Sequence, residues 1–329
     1  ARAGAGPAPL GGRASGTVVT LRLKPEHAAE YTNAQRLRDV LTKHSQFVHH
    51  KVLLRVVERR RMPDGQGGHS EKLMQSWDVI TKVPAVWRCG GDGEPTLADH
   101  EKFYRALTAG QTEFLAHRLF RVDGSFDFSV AMYVPCAPPG TDPFAATRDT
   151  QSRNVRLYCR GVFVTDQCPE VCPAWLSFLQ VAVCADDLPL HVGRSTMQQR
   201  ELLRVISRQI VRNAVDMLTQ ARAAADDDDD GPWARLYRHF AKELRMGVHD
   251  EEQHREALAA LCEWPTLADP TGAPANLADF AADGDDEEAP LYYLTGEGSP
   301  ADLARSPMVE ALRQRGVDCL LLTEPIDEY

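Results

Sequence analysis

The sequence lacks several features that define common classes of protein. No apolar run approaches the roughly 18 residues of a membrane-spanning helix. The Ala- and Gly-rich start has no long apolar stretch of the kind found in a secretory signal peptide. No long basic stripe occurs, and the formal net charge of the 329 residues is −10. The missing apolar run argues against a membrane span. Because phosphate backbones attract clustered Lys and Arg, the negative net charge and the missing basic stripe argue against a nucleic-acid partner.

Cysteines are too sparse for a disulfide scaffold in a chain of this length. The eight residues are irregularly spaced, and we expect most of them to be buried thiols. Cys168 and Cys172 are separated by three residues, but no second Cys or His pair follows at zinc-ligand distance. Ordinary packing is therefore favoured over a structural zinc site, and no metal ligand is predicted. The GGDG run at residues 90–93 lacks the preceding strand and the spacing of a phosphate loop.

The apolar residues, 43% of the sequence, follow patterns typical of a mixed α/β protein. Alternation of apolar and polar residues predicts strands at 19–24, 126–134, 157–164, 291–295 and 317–322. Helical spacing predicts helices at 37–41, 175–179, 195–218, 233–244, around 258 and at 301–315. The last strand, helix and strand form a predicted βαβ unit. Together these elements predict an α/β core built in layers.

One irregular loop is the best candidate for chemistry. Residues 186–199 read DDLPLHVGRSTMQQ and lead into the long predicted helix. Ser195 followed by Gln198 is typical of a capping box, which places Arg194 just before a helix N-terminus. Backbone donors, the helix dipole and a guanidinium then converge where an anion, above all a phosphate, would be stabilised. An ion pair between Arg194 and a nearby carboxylate is the alternative.

This loop resembles the arginine loop of the heat shock protein 90 (Hsp90) chaperone family, whose usual wording is close to DLPLNxSRxxLQQ. Further segments resemble the same family in the same order. They are GTVVTL (16–21) with KHSQF (43–47), PAVW (84–87) with FY (103–104), VRLYCRGVFV (155–164), and YYLTGE (292–297) through TEPIDEY (323–329). Together the segments cover nearly the whole chain.

The resemblance implies a fold and an order of domains. Residues 1–56 correspond to the end of a nucleotide-binding domain, and 57–75 to a polar linker. Residues 76–222 correspond to a large middle subdomain, a three-layer αβα sandwich. A helical connector (223–290) and the start of a second, smaller αβα subdomain (291–329) follow. Most of the ATP-binding domain and a C-terminal dimerisation domain are then expected to lie outside this chain.

The resemblance also implies a function. In the family, ATP and Mg2+ bind mainly to the N-terminal domain, and a middle-domain arginine contacts the γ-phosphate in the closed clamp. Carried over by motif, Arg194 is that arginine and Gln198 its partner at the phosphate. Trp87, as an exposed indole, and Phe144 are the expected client-binding residues, with core packing as the alternative for Trp87. Phe144 also corresponds in position to an apolar residue that helps to hold the clamp closed in the family. The expected partners are client proteins, co-chaperones and a second copy of the protein. The chain alone lacks the ATP pocket and is expected to be inactive as an ATPase.

The arginine loop departs from the family wording at several positions. His191 stands in place of Asn, Gly193 in place of Ser, and Cys184-Ala185 in place of an Asp-Ser pair upstream. These changes alter or remove hydrogen-bonding groups near Arg194. A chaperone-like scaffold with weak or no ATP hydrolysis therefore stays as an alternative. A self-contained α/β phosphotransferase is less supported, because no phosphate loop, acidic metal pair or base accompanies the arginine.

The segments point to different branches of the family. Residues 164–166, 216–218, 306–307 and 322–325 resemble endoplasmin, the endoplasmic reticulum branch, whereas 43–47 and 292–297 resemble the cytosolic branch. We expect the endoplasmic reticulum branch, with the cytoplasm as the alternative compartment. Neither a signal peptide nor a retention tail is present to decide between them.

Overall fold

The computed structural model describes residues 17–63, 69–89, 94–108, 110–111, 113–138, 154–166, 168–186, 197–225, 228, 230–271, 274–277, 280 and 290–328. The chain divides into two compact units. Residues 1–45 and 51–81 form the first, and residues 46–50 and 82–329 form the second.

The described residues of the first unit form two helices and a hairpin. Helices α1 (Pro25–Tyr31) and α2 (Ala34–Ser45) precede the antiparallel strands β1 (Leu53–Pro63) and β2 (His69–Val79). The helix predicted around residues 37–41 is thus confirmed, but the half-buried strand predicted at 19–24 is wrong. Residues 17–24 form no strand, and Val19 and Leu21 are 78% and 80% exposed. Alternation makes a strand only where a neighbour satisfies the backbone groups, and no described strand pairs with this segment.

The segment 57–75, predicted as a polar linker, has regular structure wherever it is described. Residues 57–63 lie in β1 and 69–75 in β2, and the ladder runs from the pair Leu53–Val79 to the pair Pro63–His69. Hydrogen bonds between β1 and β2 explain this regular structure, because they pair the backbone N–H and C=O groups of a segment whose side chains are polar. Residues 64–68 lie outside the described residues. The division into domains stays a prediction.

The second unit is built on a five-stranded mixed sheet. Its strands are β3 (Phe114–Val122), β4 (Phe128–Pro135), β5 (Val155–Cys159), β6 (Val162–Thr165) and β7 (Gln180–Ala185), in the spatial order β3-β4-β7-β5-β6. β4 is antiparallel to β3 and β7, β5 is parallel to β7, and β5 and β6 form a hairpin. The strand predicted at 126–134 is confirmed. The single strand predicted at 157–164 is instead divided into β5 and β6 by a turn at Arg160 and Gly161, both of which have positive φ.

Helices cover both faces of this sheet and give the predicted three-layer αβα arrangement. Val130 and Met132 of β4 pack in one cluster with residues of α4 (Met197–Ala223) and α5 (Pro232–Asp250). Ala131 and Tyr133, on the other face, pack with residues of α3 (Leu97–Leu107). Neighbouring residues of a strand point to opposite faces, so burial on both sides explains the continuous apolar run of β4.

The buried segment at 175–179 forms less helix than predicted. Only a single 3₁₀ turn, Ala174–Leu176, is present, although Trp175, Leu176 and Leu179 are fully buried. The chain enters β7 at Gln180, which leaves no room for a longer helix. Apolar residues at helical spacing here mark burial rather than a helix.

The C-terminal part contains short elements. Helix α6 (Arg255–Ala259) and the antiparallel strands β8 (Glu263–Trp264) and β9 (Ala275–Asn276) precede the parallel strands β10 (Tyr293–Thr295) and β11 (Leu320–Leu322). The βαβ unit is confirmed, but its helix is divided into α7 (Pro300–Leu303) and α8 (Glu310–Gln314). Pro307 explains the break, because proline lacks the N–H that an uninterrupted helix needs. No helix of the described part is both long and apolar enough to span a membrane.

Candidate functional site

The predicted site falls between β7 and α4. β7 ends at Ala185 and α4 begins at Met197. The loop that contains Arg194 and Ser195 therefore joins the carboxyl end of a central strand to a helix N-terminus. Arg194 lies outside the described residues, as does Phe144. Gln198 lies in the first turn of α4. In sheets with parallel strands, connections at the carboxyl ends of the strands commonly carry the ligand sites.

The position of α4 follows from its apolar residues. Leu202, Ile206 and Ile210 recur at four-residue spacing, are at most 3% exposed, and pack on the sheet. The first turn of α4 contains no acidic residue, so no carboxylate there competes for the unpaired N–H groups. A helix of 27 residues places the positive end of its dipole at that turn. This end of α4 is therefore suited to an anion.

The strand ends beside the loop carry two buried thiols, Cys159 and Cys184. Burial raises the pKa of Cys184, which stands where the resembling family has Asp. The Cys159 thiol donates a hydrogen bond to the carbonyl oxygen of Asp186 at 3.5 Å. Among the described residues, Asp186 at the start of the loop is exposed, and Cys184 provides no buried carboxylate that could pair with an arginine.

Trp87 is not the exposed indole that the sequence predicts. It lies in a 3₁₀ turn, Val86–Arg88, and is half-buried. Its ring centroid is 5.3 Å from that of Phe103, 6.1 Å from Tyr158 and 6.4 Å from Phe47. We call these four residues the aromatic cluster. Packing explains the position of Trp87, and its client-binding role stays a prediction.

A buried histidine, His100, whose ring contacts the exposed His117, is one feature that sequence reasoning missed. His100 is 4% exposed, its Nδ1 lies 3.0 Å from the Tyr133 hydroxyl, and its ring centroid is 4.3 Å from that of His117. Burial, aided by His117, lowers the pKa of His100 to about 4, and partial desolvation of the His117 ring lowers its pKa as well. Both rings are therefore neutral at pH 7. The signal was the spacing of His100, Phe103, Tyr104 and Leu107, which places the histidine on the buried face of α3.

A buried ion pair was also missed. A guanidinium nitrogen of Arg245, on α5, lies 3.0 Å from a carboxylate oxygen of Asp327, whose side chain is 4% exposed. The same guanidinium donates to the carbonyl oxygen of Glu263 at 2.8 Å, and the Trp264 indole donates to Asp327 at 3.2 Å. These contacts join α5 to the C-terminal turn Pro325–Glu328. Asp327 lies in the segment TEPIDEY, one of the segments that resemble the Hsp90 family.

The part of the chain that is described contains no group of three or more His, Cys, Asp or Glu residues that could hold a metal ion. Cys168 and Cys172 are buried thiols, and burial raises the pKa of Cys172 to about 12. Both side chains belong to the main hydrophobic cluster of the second unit.

Comparison with known proteins identifies similar sequences along most of the chain. Residues 58–329 match the family model described as Hsp90 protein. A chaperone protein HtpG of Myxococcus xanthus is 32% identical over 316 residues, which cover 96% of this chain and 45% of the relative. An endoplasmin homolog of Caenorhabditis elegans is 30% identical and covers 95% of this chain and 42% of the relative. The chain thus spans about half the length of the curated relatives it matches.

Structural comparison agrees with the described fold. The middle domain of a heat shock protein of Plasmodium falciparum superposes with a TM-score of 0.61 at 24% sequence identity. The match covers 74% of this chain and 91% of that domain. At this identity the likeness is one of fold.

Proposed function

The chain belongs to the Hsp90 protein family, and on that premise we propose that it acts as the middle region of an ATP-dependent molecular chaperone. The observation that carries the proposal is the family match over residues 58–329, which includes the arginine loop. The fold supports it, since a solved middle domain superposes on most of the chain.

In this proposal, Arg194 contacts the γ-phosphate of ATP in the closed clamp, and Gln198 binds the same phosphate. The start of α4 at Met197, with no acidic residue in its first turn, supports the assignment. A guanidinium suits the role because it stays charged and places two donors against the developing charge on the phosphate oxygens. Arg194 would then stabilise the transition state more strongly than bound ATP.

ATP and Mg2+ are proposed to bind mainly through an N-terminal domain of the longer protein. We assign no Mg2+ ligand to this chain, because the described residues bring no cluster of carboxylates together. When bound, the ion would neutralise charge on the β- and γ-phosphate oxygens. This chain would then contribute two groups to the γ-phosphate site, the guanidinium of Arg194 and the side-chain amide of Gln198.

The proposed partners are client proteins, co-chaperones and a second copy of the protein, joined through a C-terminal domain. Trp87 and Phe144 are the proposed client contacts. Because Trp87 packs against Phe103 and Tyr158, a client could reach only the exposed part of the indole. Client binding and the stability of the aromatic cluster are therefore coupled at this residue.

The branch and compartment are a separate proposal. The sequence favours endoplasmin and the endoplasmic reticulum, and the 30% identity to the C. elegans endoplasmin homolog supports that assignment. The 32% identity to HtpG of M. xanthus, together with eight cysteines that form no disulfide, favours a reducing compartment such as the cytoplasm. Fractionation of cells that express the full-length protein, with an antibody to this region, distinguishes the two.

The decisive experiment introduces Arg194→Ala into the full-length protein. We expect ATP turnover to fall by up to about a thousandfold, or roughly 4 kcal/mol, while ATP affinity barely changes. Arg194→Lys should restore little, because an ammonium lacks the planar fork. Arg200→Ala, which removes the same charge from an exposed position on α4, is the matched control and should keep normal turnover.

Two outcomes would redirect the proposal. Normal turnover in Arg194→Ala would reject the catalytic role. No turnover in the parent protein would support the alternative, a chaperone-like scaffold, which the substitutions at His191 and Gly193 favour. Calorimetric titration of the 329-residue chain with ATP should show no saturable heat, and micromolar binding would instead support a self-contained phosphotransferase.

A further inference from the structure

A row of arginines runs along the solvent side of α4. Arg200, Arg204, Arg208 and Arg212 are all exposed, and each lies four residues from the next. We call them the arginine stripe. The four-residue interval corresponds to a rise of about 6 Å, so the stripe is about 18 Å long. The stripe is not a continuous basic run in the sequence, because its members are separated by apolar and polar residues, and only the helix aligns them on one side.

The stripe has no internal partner in the part of the chain that the structure describes. None of the four arginines forms an ion pair or a side-chain hydrogen bond there, and neither does Glu201, the one carboxylate among them. Further along the same helix the pattern differs. Asp216 lies 3.7 Å from Arg118, and Asn213 accepts a hydrogen bond from Arg118 at 2.9 Å.

This arrangement is unfavourable for the isolated helix. Like charges four residues apart repel, and Arg200 lies near the positive end of the helix dipole. A shortage of carboxylates does not explain it, because Asp and Glu outnumber Lys and Arg by 47 to 37. An anionic group from outside would relieve the repulsion along the whole stripe at once.

We propose that the arginine stripe binds an acidic helix of a partner protein, whose carboxylates recur at the same four-residue interval. A partner helix that crosses α4 at the angle set by the two inclined four-residue rows would bring guanidinium groups opposite carboxylates. Arginine pairs with carboxylates in a planar, two-point geometry. A long nucleic acid fits less well, because a protein of net charge −10 repels an extended polyanion beyond the stripe. The proposal goes beyond the proposed function and uses neither Arg194 nor ATP.

The probe for the test is a fluorescent helical peptide of about 18 residues, with four Glu at successive four-residue intervals and Ala and Gln elsewhere. Its binding to the 329-residue chain is measured by anisotropy in low salt without nucleotide. We expect saturable binding that weakens as salt rises, because exposed ion pairs are screened. A peptide of the same composition, with its Glu residues scattered around the helix, should bind at least about fivefold more weakly.

The variant Arg204→Glu/Arg208→Glu/Arg212→Glu should weaken binding at least about tenfold. Replacement of the same three residues by Gln removes the charge without reversing it and keeps helix propensity, and should give a smaller loss in the same direction. The matched control, Arg121→Glu/Arg305→Glu/Arg315→Glu, makes the same charge change at exposed positions elsewhere and should bind normally. Circular dichroism checks the fold of each variant.

Three results would overturn the proposal. Equal binding by the Gln variant and the parent chain would show that the stripe is not the contact. Equal binding of the two peptides would show that bulk charge, not spacing, is recognised. Tighter binding of a single-stranded oligonucleotide than of the spaced peptide would identify a nucleic-acid surface instead. Because nucleotide is absent, none of these results depends on ATP turnover.

Discussion

Replacing Trp87 with Ala separates the packing role of this indole from its proposed role in client binding. Its three neighbours in the aromatic cluster, Phe47, Phe103 and Tyr158, are at most 2% exposed. Truncating a fully buried aromatic costs about 3–5 kcal/mol, and each aromatic pair contributes about 0.5–1.5 kcal/mol. Because Trp87 is only half-buried, we expect the free energy of unfolding to fall by about 2–3 kcal/mol.

Urea denaturation followed by far-ultraviolet circular dichroism measures this loss. Trp77→Ala is the matched control, since Trp77 lies on β2 and is 60% exposed, and we expect it to change stability by less than about 0.5 kcal/mol. Trp87→Phe keeps a ring in the cluster and should recover more than half of the loss. Client binding is measured for the same variants as suppression of the aggregation of an unfolded protein.

The stability and client assays together decide the role of Trp87. A loss below about 1 kcal/mol, similar to that of Trp77→Ala, would refute the packing argument and support an exposed client surface. If Trp87→Phe is stable but does not suppress aggregation, the indole itself contacts clients. If it is stable and active, Trp87 acts by packing alone.

Two further predictions concern stability. Acidification from pH 6.5 to about 4.5 should reduce the free energy of unfolding by about 2–3 kcal/mol through His100. The pKa of His100 is about 4 in the folded protein and lies below the unfolded value, so the unfolded state takes up the proton first as the pH falls. Urea midpoints should depend less on pH in His100→Gln, and an unchanged dependence would contradict the assignment. Gly161→Ala should cost at least about 1–2 kcal/mol more than Gly110→Ala. Both glycines have positive φ, but only at Gly161 would the added Cβ lie 2.5 Å from the Phe47 carbonyl oxygen, and thermal melts that show equal losses would exclude this clash.

Elements with many apolar residues at one spacing could be predicted from the sequence. The long helices α4 and α5 and the strand β4 are examples, because burial of a whole face determines them. Prediction failed where a second segment decides the outcome. Val19 and Leu21 alternate correctly but have no neighbouring strand among those described. The other failure was local, because Pro307 divides a helix whose apolar spacing continues across it.

The candidate site was predictable as a motif, but its surroundings were not. The resemblance identified Trp87 from its neighbours in sequence, whereas its burial depends on Phe47 and Tyr158, which are distant in sequence. The ion pair between Arg245 and Asp327 likewise joins residues from separate segments. Single-sequence patterns report local spacing and carry no information about such pairs.

Phe47 determines where the chain could be divided. It belongs to the second unit, although the residues on both sides, 17–45 and 51–81, belong to the first. A boundary at residue 58, where the family match begins, would remove a ring that is 2% exposed and lies 4.7 Å from Phe103 and 5.4 Å from Tyr158. The shortened protein would expose the aromatic cluster to water and would tend to self-associate through it. A piece of the chain that is to fold as the α/β unit alone must therefore include the five residues 46–50, which precede the hairpin in the sequence.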